Sequence, residues 1–128
     1  MLLNGTGRLK DAVKDFDQAL GIQRQLVAEF PARPGFREEL AASHHARGRL
    51  LYMTGRLQES EKDHDQALGI RKQLAADFPS RPEFRQNLAR SYVGRGVLLY
   101  ATGRPQEAEQ DHDRALSIHK ELATDFPS

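Results

Sequence analysis

The sequence predicts an all-α protein, an α-solenoid of five long helices joined as antiparallel hairpins. Three observations predict it. Residues 81–128 repeat residues 33–80, an offset of 81 − 33 = 48, with 31 of the 48 positions identical; a period of roughly 20 to 50 residues marks stacked repeat units. Apolar residues recur at steps of three and four, the period of a helix with one buried face. Two turn signals, Phe-Pro and Thr-Gly-Arg, alternate along the chain at matching places in each copy.

Taken in order, residues 1–8 align with residues 49–56, so Thr6-Gly7-Arg8 matches Thr54-Gly55-Arg56. The chain is therefore expected to open inside a repeat, with one last helical turn before a glycine reversal, as a piece of a longer array would; the alternative is a native start at Met1 with the stub as a degenerate cap. A first complete helix is predicted over 9–29. Ala12, Phe16, Ala19, Gln23, Leu26 and Phe30 form its stripe, widened by Leu20 and Ile22. Pro31 ends it, because the residue before proline is pushed out of the α region and proline donates no hydrogen bond. Pro34 suits the first position of a second helix, whose N–H would have no partner anyway. That helix reaches Met53 with Phe36, Leu40, His44, Arg47 and Leu51 on one stripe, and Gly48 marks a close backbone approach. Gly55 is the left-handed residue that ends it. The same grammar then predicts helices over 57–77, 82–101 and 105–125, with stops at Phe78-Pro79 and Thr102-Gly103-Arg104. The expected organisation is one array over 1–128: a partial repeat at 1–32 and full repeats at 33–80 and 81–128.

Nineteen basic and eighteen acidic residues leave a net charge of +1, so no general field draws the chain to nucleic acid or to a lipid surface. Neither is expected as a partner. Arginine outnumbers lysine, and its planar fork suits fixed pairing with carboxylates. There is no cysteine, hence no disulfide and no thiolate zinc site, which suits a reducing compartment. No run approaches the roughly 20 apolar residues of a membrane span. A cytoplasmic location is expected.

Tyr92, Gly96, Leu99, Gly103, Ala108, His112 and Ala115 give a pattern that resembles the tetratricopeptide repeat family, with Pro127 near that family's closing proline. The unit is longer than the family's usual one and is similar to the long-helix variants of kinesin-light-chain-type arrays and of bacterial signalling proteins. Two departures stand out. Arg47 and Arg95 occupy a position where the family has a buried leucine, and His64 and His112 one usually filled by Tyr or Phe, which Phe16 retains.

Asp63-His64-Asp65 and Asp111-His112-Asp113 suggest metal or acid–base chemistry at first sight. Successive helical residues point about 100° apart, so the three side chains cannot converge on one ion. The expected role is structural: the histidine packs in the aromatic slot, and Arg47 pairs with Asp63 or Asp65, Arg95 with Asp111 or Asp113. His44 and His45 face different ways, and His119 lies two turns from His112. Neither a His-Glu-x-x-His motif nor a phosphate-cradling glycine loop nor a nucleophile elbow is present. No catalytic residue, metal ligand or cofactor is expected.

The resemblance implies a groove lined by the first helix of each repeat: Ala42, His45, Arg49, Tyr52 and Met53 in one, and Arg90, Val93, Val97, Tyr100 and Ala101 in the next. Tyrosine with arginine is an interface composition. The expected partner is a protein or peptide, acidic in character, and His45, Arg49, Tyr52, Arg90, Val97 and Tyr100 are the expected contacts. The family's carboxylate-clamp asparagines are missing. A repeat array also needs polar caps, and none is evident here; Ala108, Ala115, Leu122 and Phe126 run to the end of the last helix. Self-association through an uncapped end is expected. A different reading is a structural spacer or oligomerisation array attached to a larger signalling enzyme such as a bacterial protein kinase.

Overall fold

The computed structural model describes residues 2–127, with side chains from Gly7 onward. Five helices follow one another: α1 (Leu2–Glu29), α2 (Pro34–Met53), α3 (Leu57–Asp77), α4 (Pro82–Ala101) and α5 (Pro105–Asp125). Helices α2 to α5 keep the expected bounds. In α1 the chain runs helically straight through Gly7, where a reversal was expected. A left-handed glycine is stabilised by the carbonyls of the helix it caps. Gly7 does not take the left-handed conformation, so helical hydrogen bonding continues through it.

Both Gly turns are built alike. At the end of α2, Gly55 has φ +82° and its N–H donates to the Tyr52 carbonyl (3.1 Å), while Arg56 N–H reaches back to Leu51 (2.8 Å). At the end of α4, Gly103 has φ +81° and donates to Tyr100 (3.2 Å), and Arg104 to Leu99 (2.8 Å). These two bonds satisfy the carbonyls a helix end leaves over. The threonine before each glycine adds a third, Thr54 Oγ1 to Leu51 and Thr102 Oγ1 to Leu99.

The Phe-Pro turns have their own clamp. Phe30 and Phe36 lie 5.7 Å apart between ring centres, with the Arg33 guanidinium 5.1 and 5.7 Å from them. Phe78 and Phe84 lie 5.5 Å apart, with Arg81 5.4 Å from each. The arginine is the residue before each helix and makes no capping hydrogen bond; its guanidinium stacks across the corner instead.

The chain divides into two compact units, residues 1–67 and 68–128, with α3 contributing its first half to one and its second half to the other. In the first unit α1 packs on α2. Val13, Leu20, Leu40, Ala41, Leu51 and Ala67 are buried, whereas Ile22, expected on the inner stripe, is 62% exposed. In the second unit α4 packs on α5. Its core is Leu68, Ala89, Tyr92 and Ala115, with Leu88 and Ile118 against it. Each fully buried leucine, such as Leu74 or Leu98, contributes about 1.5–3 kcal/mol by leaving water. Ala108, Ala115 and Leu122, expected on an open end, are buried; they occupy the buried face of α5, and Phe126 alone of that group is exposed.

Candidate protein-interaction surfaces

A buried polar group in the first unit is centred on Asp63. Its carboxylate accepts from Arg47 Nε and Nη2, both at 2.7 Å, and from His44 Nδ1 at 2.8 Å. An ionised carboxylate only accepts, so Nδ1 carries the imidazole proton. Arg47 also donates through Nη1 to Asp17 of α1 at 2.8 Å, so one guanidinium on α2 ties α1 to α3. Burial pushes the Asp63 carboxyl up, but the hydrogen bonds from Arg47 and His44 outweigh it and hold the group below the usual carboxylate range. The bond to Asp63 leads the causes that raise the Arg47 guanidinium above its ordinary value. In the second unit Arg95 grips Asp111 in the same two-pronged way, Nε and Nη2 each at 2.8 Å. Of the alternatives open from the sequence, the first aspartate of each triplet is the partner.

The close approach at Gly48 explains the fit. A Cβ there would stand 3.0 Å from His64 Nε2 and 3.3 Å from Asp63 Cβ, and Ser60 Oγ donates to the Gly48 carbonyl at 2.6 Å. His64 is buried as expected, but His112, its counterpart 112 − 64 = 48 residues on, is exposed. Among the described residues no group of three or more His, Asp and Glu is placed to hold a metal ion. These clusters hold helices together.

The exposed faces lie elsewhere. On α4, Arg90, Val93, Val97, Tyr100 and Ala101 follow one helical stripe and all are exposed, Tyr100 to 71%. On α2, Ala42, Arg49, Tyr52 and Met53 are exposed, whereas His45 is half-buried with its ring 5.3 Å from that of His64, edge to face. Of the six expected contacts, Arg49 and Tyr52 on α2 and Arg90, Val97 and Tyr100 on α4 are therefore open on their helices, and His45 is partly covered.

Sequence reasoning missed three features. His44 bonds Asp63; its position one turn before Arg47 was the available signal. Arg71, 3% exposed, donates through Nη1 to Ser91 Oγ at 3.0 Å. Tyr92 has two cations over its ring, Lys72 Nζ and Arg114 Cζ, each 5.7 Å from the ring centre. Both of these depend on how α3 and α5 flank α4.

The two-helix unit with its glycine turn, found twice, is matched by one family model, described as Tetratricopeptide repeat, over residues 40–80 and 86–127. The chain belongs to the tetratricopeptide repeat family. Among curated proteins none matches it. Tetratricopeptide repeats generally mediate protein–protein interaction and are generally non-catalytic. Among the described residues no helix is long and apolar enough to cross a membrane.

Proposed function

We propose that this chain is a non-enzymatic interaction scaffold that binds a protein or peptide bearing acidic and apolar side chains on the exposed faces of α2 and α4. One observation carries the reading. From Leu40 to Met53 α2 contains arginine, histidine and tyrosine, and from Gln86 to Ala101 α4 contains arginine and tyrosine, with no carboxylate in either stretch; Arg49, Tyr52, Arg90, Val97 and Tyr100 are among their exposed residues. Arginine forks take carboxylates with two parallel hydrogen bonds, and tyrosine supplies rigid contact area. The charge is local to these faces, because the whole chain is nearly neutral. Binding of this kind needs no cofactor and no chemical step.

The test is a pull-down with the intact chain and with an Arg49→Ala, Arg90→Ala variant. Loss of captured partners in the variant supports the reading, and their equal retention removes it. A structural spacer or oligomerisation array attached to a larger signalling enzyme such as a bacterial protein kinase is the second reading, favoured by the exposed Leu116 and Phe126. An unchanged set of partners in the double variant, together with concentration-dependent self-association, would favour it.

A further inference from the structure

A cavity of about 420 Å³ opens in the second unit, lined by Leu88 and Tyr92 of α4 and by Asp113, Arg114, Ser117 and Ile118 of α5. Small-molecule sites occupy roughly 300–1,000 Å³, so the space suits one small ligand. Lys72 of α3 joins Arg114 over the Tyr92 ring, each 5.7 Å from its centre, and three helices thus converge there. Leu116 and His119, on the other flank of α5, take no part in the lining.

Both cations are uncommitted. Lys72 has no hydrogen bond or ion pair among the described residues. Arg114 lies 3.8 Å from an Asp111 oxygen, beyond hydrogen-bond reach, and both Asp111 oxygens already accept from Arg95. An ammonium and a guanidinium beside one ring are charge-assisted donors waiting for an acceptor, while Leu88 and Ile118 supply apolar wall. Asp113 offsets one of the two positive charges. The balance left over matches a monoanion and disfavours a phosphate ester, whose charge at neutral pH is about −2.

The preceding repeat is not equipped in this way. At the equivalent positions of residues 33–80, Leu40, Asp65 and Ile70 match Leu88, Asp113 and Ile118, but His44 stands for Tyr92, Gln66 for Arg114 and Gly69 for Ser117. His44 moreover commits its Nδ1–H to Asp63. Ring, cation and hydroxyl therefore belong to this copy and not to the repeat unit as such.

We infer that the cavity is a binding site for a small organic monoanion, a carboxylate carrying an aromatic or aliphatic body. The carboxylate bridges Lys72 and Arg114, with the Ser117 hydroxyl as a further donor, and the body lies along Leu88, Tyr92 and Ile118. Helical period sets this site on a different face of α4 from Arg90, Val97 and Tyr100, so it is independent of the proposed peptide-binding faces.

The probe is 3-phenylpropanoate, titrated into the intact isotope-labelled protein and followed by its amide shifts. Saturable shifts centred on Leu88, Tyr92 and residues 113–118 are expected. Arg114→Gln, which installs the residue found at position 66, should weaken binding about tenfold or more, and Lys72→Gln by a similar factor. Both side chains are exposed, and each variant's own amide spectrum reports its fold. 3-Phenylpropanol lacks the charge, acetate lacks the body and phenyl phosphate carries too much charge; each should bind at least about tenfold more weakly. Arg90→Ala should leave the affinity as it is, which separates this site from the peptide-binding faces. Absence of saturation by about 10 mM ligand, equal affinity for 3-phenylpropanol, tighter binding of phenyl phosphate, or affinity unchanged in both Arg114→Gln and Lys72→Gln overturns the inference.

Discussion

Replacing Asp63 with asparagine removes one charge and almost no volume from a buried carboxylate in the first unit. Asp63 has a side chain 3% exposed and accepts three hydrogen bonds from two cationic or polar partners. Asparagine turns one acceptor oxygen into a donor, and because Arg47 bonds both oxygens that donor faces the guanidinium in either orientation. Breaking a buried pair from one side costs roughly 3–5 kcal/mol. Arg47 is 21% exposed and keeps Asp17, which places the expected loss at the lower end, about 3 kcal/mol. Asp17→Asn, at a side chain 53% exposed, should cost less than about 1 kcal/mol. Urea unfolding followed by circular dichroism measures both, with the slope checked because repeat chains can unfold unit by unit. An Asp63→Asn loss below about 1 kcal/mol, or one no larger than that of Asp17→Asn, would refute the assignment of Asp63 as the central carboxylate. The pH dependence gives a second arm. The folded Asp63 carboxyl lies below its unfolded value, so its stabilisation is complete above the unfolded pKa near 4 and is lost as pH falls through the folded one. Wild type should therefore lose more stability than Asp63→Asn on acidification from about pH 5 to pH 2.

Gly48→Ala and Gly96→Ala should differ in sign. Each gains about 0.5–1 kcal/mol of helix propensity, but at Gly48 the new methyl meets buried His64 at 3.0 Å and overpacking costs about 1–3 kcal/mol. At Gly96 the nearest group is exposed His112 at 3.2 Å, free to swing aside, so thermal unfolding should show this variant as neutral or stabilised. Arg81→Ala removes the guanidinium shared by Phe78 and Phe84 and should lower stability by about 1 kcal/mol, readable as a drop in melting temperature. Replacing the Arg47–Asp63 pair by Met and Leu should recover much of the single-variant loss, and a double-mutant cycle would give the coupling.

The helices were readable because their ends have local causes. Proline after Phe30 and Phe78 ends a helix by its restricted backbone and missing donor, and glycine after Thr54 and Thr102 ends one by taking a positive φ. Gly7 carries the same Thr-Gly-Arg signal and stays helical, so that signal alone does not decide a helix end. Pairing of arginine with aspartate could be anticipated from Arg47 with Asp63 and Arg95 with Asp111, each sixteen residues apart. Which aspartate of the triplet answers depends on the register between helices, which no local pattern encodes. The identical Asp-His-Asp triplets make the limit plain: His64 is buried and His112 exposed although their neighbours in sequence agree, so burial there belongs to tertiary packing. The expected contacts on α4 follow from helical period alone, since Arg90, Val97 and Tyr100 share one face. Half-burial of His45 depends on the ring of His64 across the hairpin, again beyond the reach of periodicity.

Selection from a random peptide library against the immobilised protein tests the proposed binding faces most directly. Sequences combining Asp or Glu with aromatic or aliphatic residues should be enriched. Their affinity should fall about tenfold on Arg49→Ala with Arg90→Ala and fall again on Tyr100→Ala. Enrichment of basic sequences, or of acidic ones whose affinity none of these substitutions changes, would contradict it.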